Sequence, residues 1–193
     1  MLPGFSAPSW TDPLDAAERI AQTPEDASLR GVFFQSVLDD LQSRGKKSLH
    51  REHYSSFMRY PLREYMELAV VAARELHPDE PLRSALREIG RAVYPAFAAT
   101  MAGSAIFAFG GNDFGKVAAL AEKAYSISVT PGRVSLRQVG ARHLVAELRD
   151  VFAFLDCLQI GIWEGAMIAC RTEGTINVRM LSSSDADLEM HWR

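Results

Sequence analysis

Two histidines three residues apart form the tightest pair of chemistry-bearing side chains in this chain. His50 and His53 flank Arg51 and Glu52, and imidazole nitrogens are common ligands of zinc. A zinc-binding helix, however, needs histidines four residues apart with a glutamate between them. No third ligand accompanies the pair, and its neighbours are polar. We therefore interpret residues 46–53 as a solvated loop and predict no metal site.

The other features that could bear chemistry are also incomplete. Gly110–Asp113 resembles a loop that leads into a helix N-terminus and holds an anion, but it lacks the lysine of a phosphate loop. No serine lies in a nucleophile-elbow pattern. Cys157 and Cys170 lack the local signature of a catalytic thiol, and we interpret them as buried thiols. The sequence therefore predicts that the protein is not an enzyme and needs no cofactor.

The composition and charge limit the classes of protein to which this chain can belong. The 193 residues fit one domain, and hydrophobic residues make up 48% of the chain, enough to bury a substantial core. The net charge of −3 and the lack of a basic stripe argue against a nucleic-acid partner. Pro95 and two glycines interrupt the longest apolar stretch, Ala92–Gly111, so we predict no membrane span. The N-terminus has no signal-peptide pattern, which favours a cytoplasmic protein.

Helical periodicity dominates the first two thirds of the chain. A short helix is predicted over Asp15–Gln22, and further helices follow at the points where Gly31, Pro61 and Pro81 can begin one. We expect Pro95 to kink or break the fourth helix. Apolar helices are then predicted over Met101–Phe109 and Phe114–Ala124 and, in the last third, over Leu155–Cys170.

Alternating apolar and polar residues indicate the strands. A hairpin is predicted from Tyr125–Val129 to Val134–Val139, because the intervening residues Thr130–Arg133 match a type II turn. A third strand is expected at His143–Leu148. The last two predicted strands are Thr175–Leu181 and Leu188–Trp192, and a turn joins them.

These elements predict an α+β fold. We expect an N-terminal helical bundle packed on a small antiparallel sheet of four or five strands, with a helix before the C-terminal hairpin. Residues 1–28 are predicted to be extended or partly helical, and residues 29–193 to form a single domain. In the last helix, Gly161 and Gly165 are spaced so that the helix can lie close to the sheet.

Several short motifs stand out across residues 29–193. They are Gly31–Phe34, Tyr60–Leu62, Leu86–Arg91, Gly161–Gly165 and a terminal strand pair ending in Trp192. Together they resemble an uncharacterised paralogous family expanded in myxobacteria, and that family has no established activity to transfer.

The order of elements also resembles a more distant ligand-binding fold. It is shared by haem nitric-oxide sensors, bacterial 4-vinyl-reductase domains and the Bet3-type subunits of TRAPP tethering complexes. The sensors' Tyr-x-Ser-x-Arg motif would begin near Tyr125, but Ile127 and Val129 stand where serine and arginine are required. No histidine lies inside a long predicted helix, since His77 stands at a helix end. The resemblance therefore implies an apolar pocket and disfavours haem.

We accordingly expect a non-catalytic cytoplasmic signalling or scaffolding domain that binds a small apolar ligand or a protein partner. The alternatives are a protein–protein interaction module with a solid core and, third, an enzyme of unknown class. If a pocket exists, we expect six apolar residues to line it. They are Phe97, Met101, Ile106, Phe109, Trp163 and Met167.

The Bet3-type resemblance further implies self-association through helices. Phe33, Phe34, Tyr65 and Met66 supply apolar side chains that one small sheet need not cover. We expect either a homodimer interface at these four residues or their burial in the core. Under the interface alternative, glutamate at both Phe33 and Tyr65 would leave a folded monomer.

Overall fold

The computed structural model describes residues 1–47, 51–98, 104 and 111–193. These residues contain seven helices and two antiparallel sheets, which confirms the predicted α+β class. The helices are α1 (Ala16–Gln22), α2 (Gly31–Ser43), α3 (Leu62–Leu76), α4 (Leu82–Ala98), α5 (Phe114–Ala119), α6 (Ala121–Ser128) and α7 (Leu158–Ala169). The strands are β1 (Ser28–Arg30), β2 (Arg59–Pro61), β3 (Val129–Thr130), β4 (Arg133–Gly140), β5 (His143–Arg149), β6 (Gly174–Met180) and β7 (Ala186–Trp192).

The first four helices lie where the apolar periodicity predicts them. Asp15 is the N-cap of α1, and its carboxylate accepts a hydrogen bond from the N–H of Glu18 at 2.9 Å. Helix α4 continues to Ala98, three residues past Pro95, so the proline does not end it. The helix predicted over Met101–Phe109 lies outside the described residues.

The segment after Asp113 differs from its prediction. Leu120 separates α5 from α6 where one helix was expected, and α6 runs on to Ser128. The predicted strand at Tyr125–Val129 is therefore wrong. Tyr125, Ile127 and Val129 alternate over only five residues, too few to distinguish a strand from a helix that begins upstream in Ala121–Ala124.

The larger sheet has the strand order β4-β5-β7-β6, with all neighbours antiparallel. It contains the predicted third strand and the C-terminal hairpin. The predicted hairpin around Thr130–Arg133 is wrong, because β3 pairs with β1 in a second sheet of order β2-β1-β3, whereas β4 pairs with β5. Residues 131 and 132 therefore connect two sheets, and Gly132 takes a positive φ of 116° there.

Helix α7 is the centre of the fold. Leu158 packs into the cluster formed by α1 to α4, whereas Ile160, Trp163 and Met167 pack into the cluster that covers the four-stranded sheet. A helix that is apolar on several faces is suited to this position between two layers.

Helix α7 packs closely against α4 because both helices have glycines where they meet. A Cβ at Gly161 would lie 2.1 Å from the carbonyl oxygen of Arg87, and one at Gly165 would lie 2.5 Å from that of Arg91. Gly90 of α4 makes the reciprocal approach, since its Cβ would lie 2.2 Å from the carbonyl oxygen of Leu158. The prediction of a close approach at Gly161 and Gly165 therefore holds, but their partner is a helix and not the sheet.

An ion-pair network joins the same two helices. The guanidinium of Arg87 donates two hydrogen bonds of 2.6 Å to the carboxylate of Glu164, and Nε of Arg91 donates a third at 2.8 Å. All three side chains are largely shielded from solvent, which strengthens the pairs relative to surface ion pairs. Glu164 therefore holds α7 against α4 from the same helix that carries the two glycines.

Among the helices that the structure describes, none combines the length and the apolar character required to cross a bilayer.

Candidate functional site

An apolar cavity lies where the helical layer meets the two sheets. Its volume is about 140 Å³. Helices α4, α5, α6 and α7 contribute most of the wall, and β1, α2 and α3 close the other side. Phe33 of α2 and Phe97 of α4 stack there with ring centroids 5.8 Å apart.

The structure brings together only part of the predicted pocket. Phe97 and Trp163 line the cavity. Met167 is buried but packs in the sheet-covering cluster, one turn beyond Trp163 and outside the lining. Met101, Ile106 and Phe109 lie outside the described residues.

Several lining residues were missed by the sequence analysis. Helices α5 and α6 present Val117, Ala121, Ala124 and Tyr125 to the cavity. The signal was available, because Ala121 and Tyr125 are four residues apart and share a helix face. The strand predicted at Tyr125–Val129 conceals this helical spacing, because it separates Tyr125 from Ala121.

The polar groups in the wall are few. In the described lining they belong to Ser128, Gln159, the indole of Trp163 and three tyrosines, Tyr65, Tyr94 and Tyr125. Burial raises the pKa of all three tyrosine hydroxyls, so they remain protonated across the physiological range. The wall therefore offers neutral hydrogen-bonding groups on a mainly apolar surface, as small-molecule sites commonly do.

The four residues considered for a dimer interface are mostly core residues. Phe34, Tyr65 and Met66 are buried within the monomer. Phe34 packs on Tyr54 and Tyr65 with ring centroids 4.7 and 5.2 Å apart. Phe33 lines the cavity. The burial of Phe34, Tyr65 and Met66 leaves them little surface for a second copy and therefore favours the core alternative at these three positions.

The two cysteines are buried, as the sequence predicts. Burial raises the pKa of the Cys157 thiol to about 12, with a further contribution from neighbouring Asp156. Burial also raises the pKa of Cys170. Both groups are thiols at neutral pH, and the nucleophilic form of cysteine is the thiolate. Neither cysteine therefore has the electrostatic setting of a catalytic residue.

The sequence also matches a protein-family model. The model described as "Protein of unknown function (DUF2378)" matches residues 22–193. The chain belongs to this family. A comparison of this DUF2378 protein with curated proteins finds no match.

Solved structures similar to this DUF2378 protein include H-NOX proteins. One from S. oneidensis in the Fe(II) ligation state, a triple mutant, has a TM-score of 0.67 at 12% identity, covering 86% of this chain and 96% of that chain. The Fe(II) unliganded H-NOX protein from K. algicida has a TM-score of 0.63 at 12% identity, covering 86% and 97%. At this identity the match concerns the fold alone. It agrees with the haem-sensor branch of the predicted resemblance.

The residues around the cavity do not fit haem. Haem iron is held by an axial histidine, cysteine, methionine or tyrosinate. The lining that the structure describes contains no histidine, cysteine or methionine, and no arginine or lysine for the propionates. Burial raises the pKa of Tyr94 and Tyr125, which disfavours the tyrosinate form. We therefore derive no haem chemistry for this protein.

Purified protein is accordingly expected to show no Soret absorbance after expression with supplemented haem. The physical reason is that the described lining offers no axial ligand for the iron and no cation for the propionates. Absorbance spectra of the purified protein, with haem quantified by pyridine haemochrome, provide the measurement. A stoichiometric Soret band would contradict this expectation.

Proposed function

We propose that this DUF2378 protein is a non-catalytic cytoplasmic signalling domain that binds a small apolar ligand in its cavity. The observation that carries the proposal is the cavity itself, which is lined mainly by aliphatic and aromatic side chains. Its ligand-binding role is supported by the similarity in fold to H-NOX proteins, whose structures were determined in Fe(II) states.

The volume of the cavity limits the size of the ligand. Drug-sized ligands occupy pockets of roughly 300–1,000 Å³. An engineered apolar cavity of roughly 150 Å³ in another protein stays dry and binds benzene or xenon. At about 140 Å³, the cavity described here matches the second case. We therefore propose a ligand, or a ligand portion, about the size of one aromatic ring.

The polar groups that line the cavity also indicate how polar a ligand can be. The hydroxyls of Tyr94 and Tyr125 and the amide of Gln159 can orient one polar atom of the ligand, whereas a charged group would meet no counterion in the described lining. A neutral molecule with one aromatic or branched aliphatic group fits this combination.

Filling the cavity is expected to weaken ligand binding without unfolding the protein. Ala121 lines the cavity, and therefore Ala121→Leu adds three carbon atoms there. Because Ala121 is only partly buried, the larger side chain should not unfold the protein. We expect the wild type to bind one toluene per chain and the variant to bind it roughly tenfold more weakly, a loss of about 1.4 kcal/mol. Titration by ¹⁵N-HSQC NMR measures both affinities.

Ala119→Leu is the matched control. Ala119 lies two residues earlier on α5 and is exposed, so toluene affinity should not change. Native mass spectrometry of the purified wild type should also reveal any co-purified small molecule. If toluene does not bind and the protein carries no small molecule, the alternative of a protein-interaction module with no ligand site gains support.

A further inference from the structure

The outer face of the four-stranded sheet contains a buried carboxylate that the cavity does not use. Along β7, Ala186, Leu188 and Met190 pack inward, and therefore Glu189 points to the opposite face. Glu189 is nevertheless completely buried. The N-terminal segment contributes to its burial, since the backbone N–H of Leu2 donates to Oε1 of Glu189 at 2.7 Å.

Two histidines converge on the same carboxylate oxygen. His143 of β5 lies directly opposite His191 of β7 in the sheet register. Their Nε2 atoms lie 3.0 and 3.2 Å from Oε1 of Glu189, and the two rings stack with centroids 3.7 Å apart. One ligand atom from each of the three residues falls within 4.8 Å of the other two.

The two separations from Oε1 of Glu189 are compatible with a metal-binding geometry. In a tetrahedral zinc site the metal–nitrogen and metal–oxygen distances are roughly 2.0–2.1 Å, which makes neighbouring ligand atoms roughly 3.3 Å apart. The two distances from Glu189 are close to that value. The combination of two histidines and one glutamate is also a donor set that zinc uses when a fourth position is left for water.

The surroundings hold the carboxylate of Glu189 in place. The backbone N–H of Leu2 donates to its Oε1 at 2.7 Å. Asn177 donates from Nδ2 to Oε2 at 3.2 Å, which leaves Oε1 directed at the histidines. Ligating carboxylates in metal sites are commonly oriented by such outer hydrogen bonds.

The imidazole of His191 supplies an independent observation. Its Nε2 is buried and forms no hydrogen bond within the described part of the chain, although it lies 3.2 Å from Glu189. A buried nitrogen without a hydrogen-bond partner is costly unless another group satisfies it. The side chain of His143 is 19% exposed and that of His191 is 37% exposed, so both rings lie partly at the surface beside the buried carboxylate.

We propose that His143, Glu189 and His191 form a binding site for Zn²⁺, with water in the fourth position. The bound ion joins β5 to β7 and, through Leu2, strengthens the attachment of the N-terminal segment to the sheet. Imidazole nitrogen with carboxylate oxygen suits Zn²⁺ better than the all-oxygen environment that Mg²⁺ and Ca²⁺ prefer.

Metal-free protein without an affinity tag is the material for the test. We expect isothermal titration with ZnCl₂ to give one site per chain. At free zinc about 100 times the dissociation constant, the melting temperature should rise by roughly 5–10 °C. Asn177→Ala, which removes only the outer hydrogen bond, should weaken zinc binding by roughly 10- to 100-fold. The double variant His143→Gln, His191→Gln should lose the site.

The double variant His50→Ala, His53→Ala is the control, because it removes the pair that stands out in the sequence and should leave zinc affinity unchanged. Histidine Cε1–H NMR signals of the wild type give a readout that needs no variant, and zinc should shift those of His143 and His191. The proposal is overturned if the wild type binds no zinc, or if the shifted signals belong to His50, His53 or His77.

Discussion

Gly161→Ala is expected to lower the free energy of unfolding by about 3 kcal/mol or more. The added Cβ would lie 2.1 Å from the carbonyl oxygen of Arg87 and 3.1 Å from its Cα, and these backbone atoms cannot rotate away. The loss would occur although alanine is intrinsically favoured over glycine in a helix by about 1 kcal/mol. Urea unfolding followed by circular dichroism provides the measurement.

Gly140→Ala is a suitable control for this prediction. The nearest atom to its added Cβ is Cβ of His143 at 3.6 Å, an ordinary contact distance. We expect this variant to change stability by less than about 1 kcal/mol. If Gly161→Ala is equally mild, the close approach of α4 and α7 is incorrect, and with it the wall of the cavity that these helices form.

Tyr65→Glu is expected to prevent folding at 25 °C. Tyr65 is 2% exposed and lies among Phe34, Met66 and other side chains of the helical core. An unpaired carboxylate there must either be desolvated or take up a proton, and each costs several kcal/mol. Total stabilities of single domains are only about 5–15 kcal/mol. Circular dichroism and the NMR signal dispersion report the outcome.

The same experiment separates core from interface. The double variant Phe33→Glu, Tyr65→Glu would be a folded monomer if these residues joined two copies, whereas their positions in the structure predict an unfolded chain. Ala119→Glu introduces the same charge at an exposed position of α5 and should remain folded. A folded Tyr65→Glu protein that had lost a dimer would reinstate the interface.

The sequence alone determined the fold class and most of the long elements. Helices α2 and α3 show apolar residues at helical spacing over three or more turns, and strands β6 and β7 show clear alternation. Over such lengths the 3.6-residue repeat of a helix cannot be mistaken for the two-residue repeat of a strand. The second sheet escaped prediction because β1, β2 and β3 contain only two or three residues each, fewer than alternation needs to be recognised.

Tertiary structure alone decided both candidate sites. The spacing of Gly161 and Gly165 indicated a close contact but could not identify Arg87 and Arg91 of α4 as the partners, since small residues permit approach by any element. Likewise, Glu189 and His191 appeared as the solvent face of a half-buried strand. Their burial and the proximity of His143 depend on strand register and on coverage by the N-terminal segment. Contacts between residues distant in sequence leave no local pattern, because they are determined by the packing of whole elements.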